Sequence, residues 1–263
     1  MLEEVLKNKY NLDVNRIEKN EESTVGNVYM LYCKNSKYVV KIYSEVNHTK
    51  SMVNLHEMLN KNNFYVPKTI KNIENQGFTE IKNRSYIVIY SFLEGHKITW
   101  NKTKINLSDE EITMLAKTLR KLHNLTDNSI IKLPQIPFGD YKKRQSILHF
   151  DLTKQNIFIN NDKIGFIDFD DAKFGEAICD IAILIANLFF SKTRGVNLEG
   201  AKKFIDSYYL DDLQLKNEEI SKIKDYGIKW IDYVLAGNEF DTSTTESFHV
   251  KRKLIEKYLD SVK

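Results

Sequence analysis

Hydrophobic periodicity changes once along this chain, near residue 90, and that change limits what the fold can be. Before it, "TVGNVYMLYCKNSKYVVKIY" (24–43) holds two β-branched and aromatic runs separated by Asn35-Ser36, the pattern of a hairpin. A helical stretch over 47–62 comes next, with Met52, Leu55 and Leu59 on one side and Pro67 closing it. Short strands are expected at 68–74, 78–82 and 85–90, the first two parted by the turn-like "NQG" of 75–77. After "SFLEGH" the period becomes helical. "SDEEITMLAKTLRKLHNL" (108–125) opens on a serine cap and an acidic first turn, then runs Ile112, Leu115, Ala116, Leu119 and Leu122 along one face. The remainder of the chain reads as mainly helical, apart from a central pair of short strands around 148–159 and "KIGFIDF". The fold class is α+β: a small antiparallel-sheet lobe over 1–90, a hinge over 91–95 and a larger, mainly helical lobe over 96–263. With three prolines and ten glycines in 263 residues, no linker is evident between packed lobes.

Charge narrows the partners. Lys plus Arg exceed Asp plus Glu by 39 to 36, too small an excess to imply nucleic acid or an anionic membrane. Cys33 and Cys179 match no metal spacing and read as reduced thiols, which points to the cytoplasm. "MLEEVLKNKY" does not resemble a secretory signal. The most apolar run, "ICDIAILIANLFF", is broken by Asp180 and Asn187 and is shorter than the ~20 residues of a membrane span, so a soluble protein is expected.

One apolar segment carries polar interruptions that packing does not explain. "LHFDLTKQNIFI" (148–159) places His149, Asp151 and Asn156 in otherwise buried-looking chain, and "GFIDFDD" brings Asp168 shortly after. Two strands in hairpin arrangement would set the loop containing Asp151 and Asn156 beside the strand end that carries Asp168. A carboxylate with a neutral amide oxygen is a hard-ligand pair suited to Mg²⁺, which keeps several waters and takes phosphate oxygens. That leaves Asp151 to receive a hydrogen bond from a substrate hydroxyl. The pattern H-x-D-x-x-x-x-N followed by a metal-binding Asp is the phosphoryl-transfer arrangement of kinases. Lys41, a charge at the end of an apolar strand, is either an edge-strand gatekeeper or aimed at an anion.

These residues, with "STVGNVYML", "YVVKIY", "YSFLEG", "LRKLHNL" and "IDFDDAKFGEAICDIA", resemble the aminoglycoside phosphotransferase and choline kinase group, which has the protein-kinase-like fold. The commonest form of the family's catalytic loop has Gly between the His and the Asp, where this chain has Phe150. The resemblance implies that Asp151 is the catalytic base, that Asn156 and Asp168 hold Mg²⁺, and that Lys41 contacts nucleotide phosphates. It makes Glu57, the only carboxylate in its helix, the partner of Lys41, unless that ion pair is absent. Ser23 and Thr24, in a loop with the single glycine Gly26, would donate to phosphate, and Ser91, Phe92 and Leu93 would offer backbone groups to a purine edge. By the same resemblance Asp180 binds the loop near His149, and His149 is a packed orienter. The cofactors implied are ATP, with GTP as the alternative, and Mg²⁺.

Only eleven residues separate Asp168 from Asp180, too few for a platform on which a peptide could lie, so the acceptor should be a small-molecule alcohol. Glu218, Glu219, Asp225, Asp232, Glu239 and Asp241 either recognise a cationic aminosugar or form the solvated side of a helix whose buried stripe is Ile220, Ile223, Gly227, Trp230 and Val234. Tyr226, Trp230 and Tyr233 could cage a quaternary ammonium. Rival readings are a metabolic kinase acting on homoserine, choline, a methylthio-sugar or a glycated amine, and a nucleotide-binding module without catalysis. Oligomeric state is left open.

Overall fold

The computed structural model describes residues 2–20, 27–102, 104–139, 144–210, 212–237 and 240–262, and these form two compact units. The first comprises Met1–Glu94 with Ile130–Lys132, the second Gly95–Ser129 with Leu133–Lys263.

In the first unit α1 (Leu2–Tyr10) leads into β1 (Val14–Lys19), β2 (Val28–Cys33), β3 (Lys37–Tyr43), α2 (Val46–Lys61), β4 (Thr69–Ile70), β5 (Thr79–Ile81) and β6 (Ser85–Ser91). The sheet runs β1-β2-β3-β6-β4, with β5 also on β6, and every pair is antiparallel. Period-2 alternation sorts the two faces of β3. Tyr38, Val40 and Ile42 pack with Leu31, Ile87 and Ile89 against Leu6 and Tyr10 of α1. Lys41 belongs to the opposite face, level with Val88 and between Val39 opposite Tyr90 and Tyr43 opposite Tyr86. That is the face α2 covers, since the His56 ring meets Tyr90 at 4.5 Å. The strand expected over 68–74 is cut to Thr69–Ile70, because the Asn72 side chain accepts the N–H groups of Glu74 (3.0 Å) and Gln76 (2.9 Å) and folds the chain into a turn.

The second unit opens with β7 (His96–Lys97), β8 (Trp100–Asn101) and β9 (Lys104–Ile105), then α3 (Asp109–His123). Ser108 caps α3 reciprocally: its hydroxyl accepts from Glu111 N–H (3.2 Å) while the Glu111 carboxylate accepts from Ser108 N–H (2.7 Å). Ile112, Leu115, Ala116, Leu119 and Leu122 are all buried, as their spacing predicts. Then come β10 (Gln145–Leu148), β11 (Ile157–Asn160), β12 (Lys163–Phe166), β13 (Lys173–Glu176) and α4 (Ile178–Leu184), which runs into a π-helical turn, Ile185–Phe189. β14 (Phe190–Ser191), β15 (Gly195–Val196), α5 (Leu198–Tyr209), α6 (Leu213–Ile220), α7 (Ile223–Gly237) and α8 (Thr242–Tyr258) complete it. β11 and β12 form the expected hairpin, with Ile157 opposite Phe166. The segment before them is not one strand: β10 ends at Leu148 and pairs with β13, which leaves 149–156 as a loop between two small sheets. No helix of the described residues is long and apolar enough to cross a membrane.

Candidate active site

The loop after β10 is held from inside. Asp180, in the first turn of α4 and with no exposed surface, accepts the N–H of His149 on Oδ2 (2.7 Å) and that of Phe150 on Oδ1 (2.9 Å). His123 Nε2 reaches the same carboxylate at 3.2 Å. Asp180 therefore binds the loop at His149, as the resemblance implies. His149 is itself buried, stacked at 4.4 Å on Phe169, and bonded through Nε2 to the Ile167 carbonyl at 2.9 Å. A carbonyl only accepts, so Nε2 carries the proton and Nδ1 faces the Asp151 N–H at 3.4 Å. The imidazole orients the loop; both of its nitrogens face backbone groups of the chain.

Phe150 has φ +66°, in the left-handed region that favours glycine. This accounts for glycine at the same place in the commonest form of the loop. Here a ring is carried through the strained position and packs against Tyr233 (5.8 Å) and Phe138 (6.3 Å). The strain of ~1–2 kcal/mol is offset by burying a ring that is 4% exposed.

Asp151 and Asn156 come together within the loop: Asn156 Nδ2 donates to the Asp151 carbonyl (3.0 Å) and to Asp151 Oδ2 (2.7 Å). Those bonds use the amide's nitrogen and leave Oδ1 as a separate acceptor. The Asn156 carbonyl accepts from Ile167 N–H at 3.0 Å, extending the β11–β12 ladder by one rung and bringing Asp168 beside the loop. Asp168, exposed and at φ +64°, starts a left-handed kink that turns the chain out of the strand. Burial pushes the Asp151 carboxyl above the ordinary carboxylate range; His149 pulls it back, and Asp171 and Asp168 push it further up. Asp171 thus acts on Asp151 through its charge, although it stood outside the expected set in "DFDD".

Clustered carboxylates that repel one another, beside an amide oxygen, are a hard donor set that a divalent cation would relieve. Among the described residues no three His, Cys, Asp or Glu side chains form a metal cluster, so a cation here would rest on Asn156, Asp168 and oxygens from water and phosphate.

In the first unit, Ser23, Thr24 and Gly26 lie outside the described residues. Glu57 is exposed and makes an ion pair with Lys71 at 3.2 Å. At the expected hinge two of the three backbone donors are already engaged: Ser91 N–H donates to Lys68 O (2.8 Å) and Phe92 N–H to Lys37 O (3.3 Å).

The acidic side chains over 218–241 are mostly engaged within the chain. Glu219 is buried with Arg144 (3.2 and 3.1 Å) and Tyr209 (2.9 Å), and Glu218 accepts from Gln214. Asp225 pairs with Lys229 and Asp232 with Arg252, Asp241 caps α8, and Glu239 lies outside the described residues. Trp230 and Tyr226 are buried, and each has a lysine of the chain near its ring face, Lys251 (5.5 Å) and Lys229 (5.9 Å). A cavity of about 420 Å³ lined by Ile136, Phe138, Gly139 and Glu176 among others lies by β10 and β13, and none of its lining residues belongs to the loop.

Residues 130–204, which include Asp151, Asn156, Asp168 and Asp180, match the model of the phosphotransferase enzyme family. Among solved structures the chain is similar to an amicoumacin kinase in complex with AMP-PNP, Ca²⁺ and Ami, at 14% identity and TM-score 0.72, covering 98% of this chain and 93% of that one. The fold is the protein-kinase-like one. A spectinomycin phosphotransferase in complex with ADP and spectinomycin superposes at 15% identity and TM-score 0.67, over 97% of this chain and 95% of that one. An ethanolamine kinase from Plasmodium vivax does so at 15% and 0.68, over 100% and 89%. No curated protein matches the chain by sequence.

Proposed function

We propose that the chain is an ATP-dependent phosphotransferase that moves the γ-phosphoryl group to a hydroxyl of a small molecule. The observation that carries this reading is Asp151 held by Asn156 Nδ2 in a loop pinned by Asp180, with Asp168 adjoining. Asp151 accepts the acceptor's hydroxyl proton as the γ-phosphorus–oxygen bond to ADP breaks and the new ester bond forms. Asn156 and Asp168 would hold Mg²⁺, which would supply charge neutralisation along the phosphates when bound. Lys41 adds positive charge for the nucleotide, and Leu93, the hinge residue not engaged in the Ser91 and Phe92 bonds, offers backbone groups to the base. The relatives bound to AMP-PNP and ADP support ATP over GTP. Cys33 and Cys179 are free thiols, in keeping with a reducing cytoplasm.

The first acceptor class is an aminoglycoside-like aminosugar, as for the spectinomycin enzyme. A second reading, a metabolic kinase of a small alcohol such as ethanolamine, choline or homoserine, draws support from the engaged carboxylates, since a polycation pocket needs open ones. Purified protein with Mg-ATP and an acceptor panel tests both. Asp151→Asn should lose on the order of 10³-fold in kcat while still binding Mg-ATP. Near-full activity in that variant would remove Asp151 from its role and the reading with it.

A further inference from the structure

Lys251 stands within α8, in the charged run "HVKRKLIEKY", yet its ammonium is turned inward. Nζ donates to Asn187 Oδ1 and lies 5.5 Å from the Trp230 ring and 5.4 Å from that of Phe248. Asn187 belongs to the π-helical turn after α4, and its Nδ2 donates to the carbonyl of Leu152 at 3.1 Å, inside the Asp151 loop. Burial lowers the lysine's pKa to about 8, and the Asp151 carboxylate holds it from falling further. A hydrogen-bonded link thus runs from α8 through Asn187 to the loop.

Packing alone does not account for a lysine here. Burying an ammonium is costly, and a methionine of similar length would fill the space between Trp230 and Phe248 without that penalty. The π turn adds to the case, since such turns widen a helix by one residue and here aim Asn187 at both partners.

We propose that Lys251 is a positioning residue for phosphoryl transfer: through Asn187 it fixes the Leu152 carbonyl, next in sequence to Asp151, and with it the shape of the catalytic loop. The proposal rests on the reading of Asp151 as the catalytic base. Its ammonium also fills the Trp230 face, so an acceptor's own cation binds elsewhere.

Lys251→Met and Lys251→Arg test it in the full chain, by three measurements. Thermal midpoint should be unchanged or higher in Lys251→Met, because a buried charge has been replaced by an apolar chain. Amide exchange followed by mass spectrometry should quicken by about tenfold in peptides covering 150–156. The kcat for transfer should fall by about 10- to 100-fold with the KM for ATP within about threefold, and Lys251→Arg should recover part of kcat. Wild-type exchange in the loop, wild-type kcat, or a midpoint lowered by more than about 5 °C, which would mark a packing role, each overturns the proposal. Absence of transfer by the wild-type chain with every acceptor would refute the kinase reading separately, since loop exchange in Lys251→Met still decides the positioning role.

Discussion

Replacing Asp180 by alanine removes the acceptor from three buried donors at once: His149 N–H, Phe150 N–H and His123 Nε2–H, at 2.7, 2.9 and 3.2 Å. The site has no exposed surface, so water does not replace the carboxylate without opening α4 from the loop. Each buried donor left unpaired costs about 1–3 kcal/mol, and removing one side of a buried charged network about 3–5 kcal/mol, so the latter range is expected after relaxation. For a unit of this size that lowers the midpoint by roughly 10 °C. Both tryptophans of the chain, Trp100 and Trp230, lie in the second unit, so fluorescence follows the unfolding of that unit whatever the first one does. Asp180→Asn should fall between, because the amide keeps one acceptor but turns an NH₂ toward a backbone N–H. A midpoint within about 2 °C of wild type for Asp180→Ala would refute the claim that this carboxylate holds the loop.

Phe150→Gly relieves a left-handed strain of ~1 kcal/mol but removes a buried ring worth ~3 kcal/mol or more; urea unfolding should show a net loss of about 2 kcal/mol, with transfer largely retained because the loop bonds are backbone ones. Burial holds His123 neutral in the folded chain, with a pKa below the ordinary 6.5, although Asp180 opposes the shift. The unfolded chain takes up that proton as pH falls through about 6.5 and the folded chain does not, so the stability tied to this residue is complete above that pH and is lost below it. Thermal midpoints between pH 8 and 5.5 should therefore drop less steeply in His123→Gln than in wild type; parallel slopes would place the acid sensitivity elsewhere.

Local patterns were legible where neighbours in sequence are neighbours in space. The β2–β3 hairpin around Asn35-Ser36, the capped α3 and the β11–β12 hairpin all arise from alternation, capping and helical spacing over a few residues. The Asp151, Asn156 and Asp168 cluster was legible for the same reason, since one ladder rung joins Asn156 to Ile167. What escaped depends on distant pairing. Nothing local tells that Gln145–Leu148 lies beside Lys173–Glu176, and Lys251 looks like any lysine of a charged helix until Trp230, Phe248 and Asn187 surround it. Asn187 did leave a trace, as a polar break in "ICDIAILIANLFF", where an amide set among buried apolar residues needs a partner. The Lys71 partner of Glu57 was not legible either, because helix rotation, which decides what an exposed carboxylate faces, is set by packing on the sheet.

The bonds around His123 also have a direction. Arg144 donates to the Tyr208 oxygen, which obliges that hydroxyl to donate to His123 Nδ1 at 2.7 Å and leaves Nε2–H for Asp180. Every proton along this wire, from a helix-packing arginine to the loop, has a single allowed seat. Reversing one link would force all the others to reverse, and the two ends cannot: a guanidinium never accepts, and an ionised carboxylate never donates. The members of the wire therefore hold one another's protons in place, and a lone substitution within it is felt at the Asp180 carboxylate that holds the loop.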